Sequence, residues 1–198
     1  MRALIALSLL ATGCTAARAE QLELVVFAGL GVEETRAAFG PLAAHLARDS
    51  GHRIKLVVPD NVLDHWTRMQ DAGAPRLILD DGHFTDYRVK HLDYRVLVKT
   101  SGLVGFSVVT GPETLLIEPD ELNGQRVACP PPPSLAALSL KALFPDSVRA
   151  PLLVEADSYR HGVRRMIEGE ATAAVIRSSM VRDYPELNVV MATEAVPG

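Results

Sequence analysis

The residues best suited to bind a ligand follow predicted strands, at points where helices begin. They combine a guanidinium, hydroxyls, an imidazole and glycines: Gly29, Gly31, His83, Thr85, Ser134, Arg177 and Ser178. In an α/β protein these loops meet at the carboxyl ends of the strands, where ligands bind. Helix N-termini present free N–H groups and the positive end of the helix dipole, which favour anions. The pattern therefore indicates a site for a small anion, with Arg177 suited to a carboxylate or phosphonate.

Each of these residues also has a purely structural interpretation. Glycines serve tight turns, and Ser134 is a good helix N-cap. Asp81 can cap the helix that follows it, which would leave His83 in solvent. Thr35 is expected to be a surface residue of the first helix. Asp80 and Asp81 are adjacent carboxylates that would repel an anion, so they count against a phosphate cradle at this loop.

Metal binding is the alternative function. His83, Tyr87 and His91 are spaced so that one helical stripe could hold all three, and Asp81 lies close to its start. Copper or zinc accepts imidazole and carboxylate ligands. However, the sequence contains no His-x-x-x-His pair and no Cys-His cluster. Surface histidines explain the set more simply, and no cofactor is expected.

An enzyme is not expected. The sequence has no Gly-x-Ser-x-Gly, Walker or His-Glu-x-x-His motif. Cys129 ends an apolar strand, where a buried, inert thiol is the common outcome. A covalent cofactor on Cys129 is a weak alternative, because no basic residues surround it.

The elements that position these residues alternate between strand and helix. Strands are predicted at 22–28, 53–58, 76–79, 94–99, 104–110, 126–129, 151–155, 173–176 and 188–192. Most are separated by helical patterns, so right-handed βαβ units and mainly parallel sheets with flanking helices are expected. Two consecutive α/β units suggest two lobes with a cleft between them.

Composition limits the class of protein. The chain has 198 residues, 20 Lys+Arg against 24 Asp+Glu, and 48% hydrophobic residues. These values exclude a wholly disordered chain, and the acidic balance argues against a general nucleic-acid binder. The chain has two cysteines, too few for a disulfide-dense scaffold.

The N-terminus resembles a secretory signal. A short positive start precedes an apolar run from Ala3 to Gly13, and Ala17-Arg18-Ala19 predicts cleavage before Glu20. Gly13 before Cys14 leaves a lipoprotein signal, with a lipid anchor at Cys14, as an alternative. Removal of residues 1–19 leaves 18 basic and 24 acidic residues, a net charge of −6. The protein is expected in the periplasm.

A series of segments carries a family resemblance. The segments are Phe39-Gly40-Pro41-Leu42-Ala43-Ala44-His45-Leu46, Leu77-Ile78-Leu79-Asp80, His83-Phe84-Thr85-Asp86-Tyr87-Arg88, Leu122-Asn123-Gly124-Gln125-Arg126-Val127-Ala128, the proline run before Ser134, Ala173-Ala174-Val175-Ile176 and 190–197. In this order, after a signal peptide, they are similar to the phosphate/phosphite/phosphonate (PhnD-like) substrate-binding proteins of ABC transporters.

The resemblance implies the two-lobed type 2 periplasmic binding fold. It also implies a small phosphonate-like anion in the cleft, held by His83 and Thr85 of one lobe and Ser134, Arg177 and Ser178 of the other. The expected partner is an ABC-transporter permease, with no nucleic acid, and a monomer is expected. The family's hydroxyl-rich loop is represented here by Ser134 alone, which is followed by Leu135-Ala136-Ala137.

The resemblance also predicts the domain boundaries. The signal peptide would span 1–19, the first lobe 20–101 and the second lobe 102–192, with a return crossing starting at 193–198. Family members usually continue well past the position of Gly198. The first lobe is therefore expected to lack its C-terminal part.

Overall fold

The computed structural model describes residues 21–70, 76–116, 118–146 and 148–197. The predicted signal peptide and Cys14 lie outside these ranges. The strands are β1 (Gln21–Val26), β2 (Arg53–Val57), β3 (Arg76–Leu79), β4 (Leu103–Val104), β5 (Phe106–Thr110), β6 (Arg126–Cys129), β7 (Leu152–Glu155), β8 (Ala173–Arg177), β9 (Asn188–Ala192) and β10 (Val196–Pro197). The helices are α1 (Val32–Ser50), α2 (Val62–Gln70), α3 (Gly82–His91), α4 (Leu135–Leu143) and α5 (Tyr159–Ile167), with 3-10 turns at Pro119–Leu122 and Ser178–Asp183.

The N-terminal lobe, formed by β1–β3 and α1–α3, is built on a parallel sheet in the order β2-β1-β3. Side chains of a strand alternate between the two faces of its sheet, and the end of β1 is apolar on both. Leu24 and Val26 pack against α1, where they meet Ala43. Phe27, just beyond β1, packs with Val62 of α2 and with Met69 and Phe84. Helices therefore cover both faces, as in an α/β layer structure.

The C-terminal lobe, formed by β4–β9 with α4 and α5, contains a five-stranded sheet in the order β7-β6-β8-β5-β9. β6 is parallel to β7 and β8, whereas β5 is antiparallel to β8 and β9. This sheet is therefore mixed. Its core is larger than that of the other lobe and includes Phe106, Leu122, Tyr159 and Ile176.

The strand predicted at 94–99 is wrong. No regular structure is assigned between α3 and β4, and Val96, Leu97 and Val98 are exposed. An apolar, β-branched run has strand propensity, but a strand exists only when its backbone pairs with a neighbour. The short strands β4 and β10 pair with each other in antiparallel orientation, which brings residues 196–197 beside 103–104.

The two lobes touch through several polar contacts. The N–H of Tyr159 donates to the Gly29 carbonyl at 3.1 Å. His83 Nε2 lies 2.9 Å from the Pro133 carbonyl, and Arg160 Nε lies 2.6 Å from a Glu34 oxygen. Among the described residues, no helix has the length and apolar character needed to cross a membrane.

Candidate functional site

A cavity of about 300 Å³ lies between the lobes, at the carboxyl ends of β1, β3 and β8. Its wall is largely apolar and contains a few polar side chains. The lining residues are Val26, Phe27, Gly29, Leu30, Thr35, Phe39, Leu79, Asp80, Asp81, Thr100, Val104, Tyr159 and Arg177. This size and lining are typical of sites for small molecules. Of the residues predicted from the sequence to contact an anion, Gly29 and Arg177 line this cavity.

Arg177 is the cationic side chain of the described cavity wall. It ends β8 and forms an ion pair with Asp81, the residue that precedes α3 in the other lobe. The side chains are 30% and 9% exposed, so water screens the pair only partly. Burial would lower the pKa of Arg177, but Asp81 and Tyr159 outweigh it and raise that pKa. Arg177 therefore remains charged at any physiological pH.

Two buried hydroxyls of the cavity wall lack a protein partner. Tyr159 is fully buried, and neither its hydroxyl nor that of Thr35 makes a hydrogen bond of normal geometry within the described ranges. The Arg177 side chain is nevertheless close enough to the Tyr159 hydroxyl to interact with it. The Arg177 guanidinium carbon lies 5.9 Å from the centre of the Tyr159 ring. Burial raises the pKa of the Tyr159 phenol, although Arg177 opposes that rise. Tyr159 thus keeps its proton, and its hydroxyl is an unused hydrogen-bond donor within the cavity wall.

The expectation that Thr35 is a surface residue is wrong. Thr35 is 1% exposed and faces the cavity from the first turn of α1. Thr35 precedes Phe39 by four residues and Leu42 by seven, so it lies on the same helical stripe as Phe39, Leu42 and Leu46, toward the start of α1. The second lobe also contacts this end of the helix, where Arg160 pairs with Glu34. The helical period therefore agrees with burial at position 35, although threonine is a residue type common at the surface.

The Asp80 carboxylate pairs with two side chains of its own, N-terminal lobe. Its two oxygens lie 2.5 Å from His65 Nε2 and 2.5 Å from Arg88 Nε. All three side chains are buried, and the His65 ring contacts the rings of Phe27 and Phe84, at 5.8 and 5.4 Å between ring centres. Neither adjacent carboxylate is therefore an isolated charge, since Asp80 pairs inward and Asp81 pairs with Arg177. Sequence reasoning missed His65 and Arg88 because no local spacing connects them to Asp80.

Gly29 and Gly31 permit the close approach of the lobes. Their N–H groups donate to the carbonyls of Phe27 and Ala28 within the turn, at 3.0 and 2.9 Å. A Cβ at position 29 would lie 3.1 Å from Tyr159 Cε2, and Gly31 has a φ of 103°. Gly31 lines a second cavity, of about 440 Å³, beside Ser158. Both positions thus favour glycine for packing and backbone conformation.

The other residues predicted as ligand contacts lie outside the described lining of the 300 Å³ cavity. His83 joins the lobes through the Pro133 carbonyl, and Thr85 follows it two residues further along α3. Ser134 is buried: its hydroxyl donates to the Pro130 carbonyl at 2.6 Å and accepts from the Ala137 N–H at 3.1 Å. The exposed Ser178 pairs with the Ser107 hydroxyl at 2.9 Å. Their ligand roles stay predictions.

The alternative metal ligands do not form a cluster. No three His, Cys, Asp or Glu side chains are grouped to hold an ion in the part of the chain that the structure describes. Asp81 is paired with Arg177, and His83 bonds to Pro133. His91, at the other end of α3, packs against Tyr87 with ring centres 4.6 Å apart and ring planes tilted by 41°.

Cys129 is buried and free, as the sequence predicted. Burial raises the pKa of its thiol, and a hydrogen bond involving Ser134 only partly opposes that rise. The thiol donates to the Pro130 carbonyl at 3.2 Å. A protonated, enclosed thiol is a poor nucleophile.

No family model matches the sequence, and no curated protein matches it. Solved structures, in contrast, match it over most of its length. A binding-protein component of an ABC phosphonate transporter from Pseudomonas aeruginosa has a TM-score of 0.70 at 11% identity, over 91% of this chain and 67% of that one. PhnD1 from Prochlorococcus marinus, in complex with methylphosphonate, has a TM-score of 0.74 at 10% identity, over 90% and 74%.

An ancestral arginine-binding protein bound to arginine also matches, with a TM-score of 0.61 at 15% identity over 90% of this chain and 80% of that one. At such identities the matches show a shared fold. The chain has the two-lobed α/β fold of periplasmic binding proteins, as the sequence predicted.

Proposed function

We propose that this protein is the substrate-binding component of an ABC transporter and that it binds a small anion in the 300 Å³ cavity. The observation that carries the proposal is the position of Arg177. Its guanidinium belongs to the cavity wall, beside a fully buried Tyr159 hydroxyl that has no protein partner in the described ranges. A guanidinium binds a carboxylate or phosphonate through two parallel hydrogen bonds.

The unpaired hydroxyls support a polar ligand over a purely apolar one. A buried hydroxyl without a hydrogen bond costs about 1–3 kcal/mol, and a ligand oxygen that reaches Tyr159 or Thr35 recovers part of that cost. The chain carries a net charge of −4, so its overall field does not attract an anion. Recognition would depend on Arg177 and on the local hydroxyls.

Within this class, a phosphonate is the ligand we favour. The neighbour from Prochlorococcus marinus is in complex with methylphosphonate, and the neighbour from Pseudomonas aeruginosa belongs to a phosphonate transporter. The arginine-binding neighbour adds carboxylates to the ligands that should be tested on this fold.

Isothermal titration calorimetry would test the proposal. The probes are methylphosphonate, phosphite, phosphate, methanesulfonate and acetate, with Cu²⁺ and Zn²⁺ for the alternative metal function. We expect at least one acid to bind, and Arg177→Gln to weaken it by about 10- to 100-fold, since a hydrogen bond to a charged group contributes about 1.5–3 kcal/mol. Arg182→Gln is the matched control, because Arg182 is exposed and outside the described lining. Binding of metals alone would contradict the proposal.

We also propose export to the periplasm and action as a monomer with an ABC permease. Mass spectrometry of periplasmic protein should find Glu20 at the mature N-terminus. A lipid-modified Cys14 would instead indicate a membrane tether. Light scattering coupled to gel filtration should give the mass of one chain, and a dimer mass would contradict the monomer.

A further inference from the structure

We infer that the ligand is a small zwitterion, with its acidic group facing Arg177 and an ammonium group facing Asp81. The inference rests on the proposed function and narrows the class of ligand. Its basis is that Arg177 and Asp81, charges of opposite sign from opposite lobes, are in direct contact in the wall of the cavity.

The ion pair itself must change when an acid binds. An anion that takes the Arg177 guanidinium competes with Asp81 for the same N–H donors. The Asp81 carboxylate is 9% exposed, so water cannot fully replace the lost partner. A buried charge that loses its partner is strongly unfavourable. A ligand with only an acidic group therefore binds against this cost, whereas a ligand ammonium removes it.

Within the described residues, Arg177 is the cation that pairs with the Asp81 carboxylate. The nearby Arg88 and His65 are held by Asp80, which accepts from both. The main chain of Asp81 starts α3, but its side chain makes no capping hydrogen bond. The Asp81 carboxylate therefore faces the cavity, paired with Arg177 across the cleft.

The geometry also limits the ligand's shape. Asp81 and Arg177 are in direct contact, so the lobes need to separate least when the ammonium and the acid of the ligand are on the same carbon. The rest of the cavity is bounded by apolar side chains such as Val26, Phe39 and Leu79. This combination fits an α-amino acid or an α-aminophosphonate with a short apolar side chain.

Calorimetry with matched ligands tests the inference on the unmodified protein. One pair is 1-aminoethylphosphonate and ethylphosphonate, and the other is alanine and propionate. Within each pair the ammonium is the main difference. We expect the ammonium to tighten binding by about tenfold or more in at least one pair, since hydrogen bonds to charged groups contribute about 1.5–3 kcal/mol. The pair that binds distinguishes a phosphonate from a carboxylate ligand.

Asp81→Asn supplies the second test. Asn is also a good residue at a helix start, and it keeps the size of the side chain. The preference for the ammonium ligand should fall to within about threefold in Asp81→Asn, because the favourable charge pair is lost. Asp86→Asn is the control: Asp86 is exposed on the same helix, pairs with Lys90, and should leave the preference unchanged.

The outcomes separate the two proposals. Equal or tighter binding of ethylphosphonate and propionate would overturn the zwitterion and leave an anion-binding protein. An ammonium preference that persists in Asp81→Asn would overturn the role of Asp81. Failure of every acid and every zwitterion to bind would overturn the proposed function and this inference with it.

Discussion

Replacement of Tyr159 by Phe should stabilise the ligand-free protein and weaken ligand binding. The side chain is fully buried, and its hydroxyl has no hydrogen-bond partner among the described residues. Removal of an unsatisfied buried hydroxyl recovers part of a desolvation cost of about 1–3 kcal/mol. Because the guanidinium of Arg177 lies near this ring and offsets some of that cost, we expect a gain of about 1 kcal/mol.

Urea unfolding without ligand would measure this gain, and thermal unfolding should shift upward by about 2–4 °C. Titration with the acid that binds most tightly should show a loss of about tenfold, as expected for one hydrogen bond of about 1.5 kcal/mol. Tyr184→Phe is the control. The Tyr184 hydroxyl accepts from Arg160 at 3.5 Å, so its removal should not stabilise the protein. Destabilisation of the protein by Tyr159→Phe, by about 1 kcal/mol or more (the value of one native hydrogen bond), would refute the reasoning.

Three further substitutions test the framework around the site. Ser134→Ala should lower the free energy of unfolding by about 1–3 kcal/mol, because two buried hydrogen bonds lose their shared hydroxyl. Ligand affinity should not change, and a large loss of affinity would restore the predicted ligand role of Ser134. Asp80→Asn should cost about 3–5 kcal/mol in urea unfolding, since Arg88 stays buried without its counter-charge; exposed Asp86→Asn should cost under about 1 kcal/mol. The raised pKa of Cys129 makes stability pH-dependent. Above about pH 8.5 only the unfolded thiol loses its proton, so stability should fall by up to about 1.4 kcal/mol per pH unit. Cys129→Ala should lack this contribution in unfolding measured from about pH 8 to 10, and identical slopes for the two proteins would contradict it.

Local patterns predicted the alternation of strands and helices well. Apolar runs such as Leu24–Val26 form strands, and amphipathic runs form the helices that cover them. These elements arise from side-chain periodicity, which is a property of neighbouring residues. Residues 96–98 mark the limit of such patterns: their apolar side chains predicted a strand, but a strand also needs a paired neighbour.

For the candidate site too, local sequence patterns predicted some features, and others depend on contacts between the lobes. The sequence by itself predicted Arg177 and Gly29 at the carboxyl ends of apolar strands, where ligands bind in this fold class, and both residues line the cavity. Only the tertiary structure decided that Asp81 meets Arg177, since 96 positions separate them along the chain. It also decided that the hydroxyls of Thr35 and Tyr159 are buried in the wall of the cavity and that Ser134 makes its hydrogen bonds inside its own lobe. Contacts between lobes depend on how whole elements pack, and no spacing within one element encodes them.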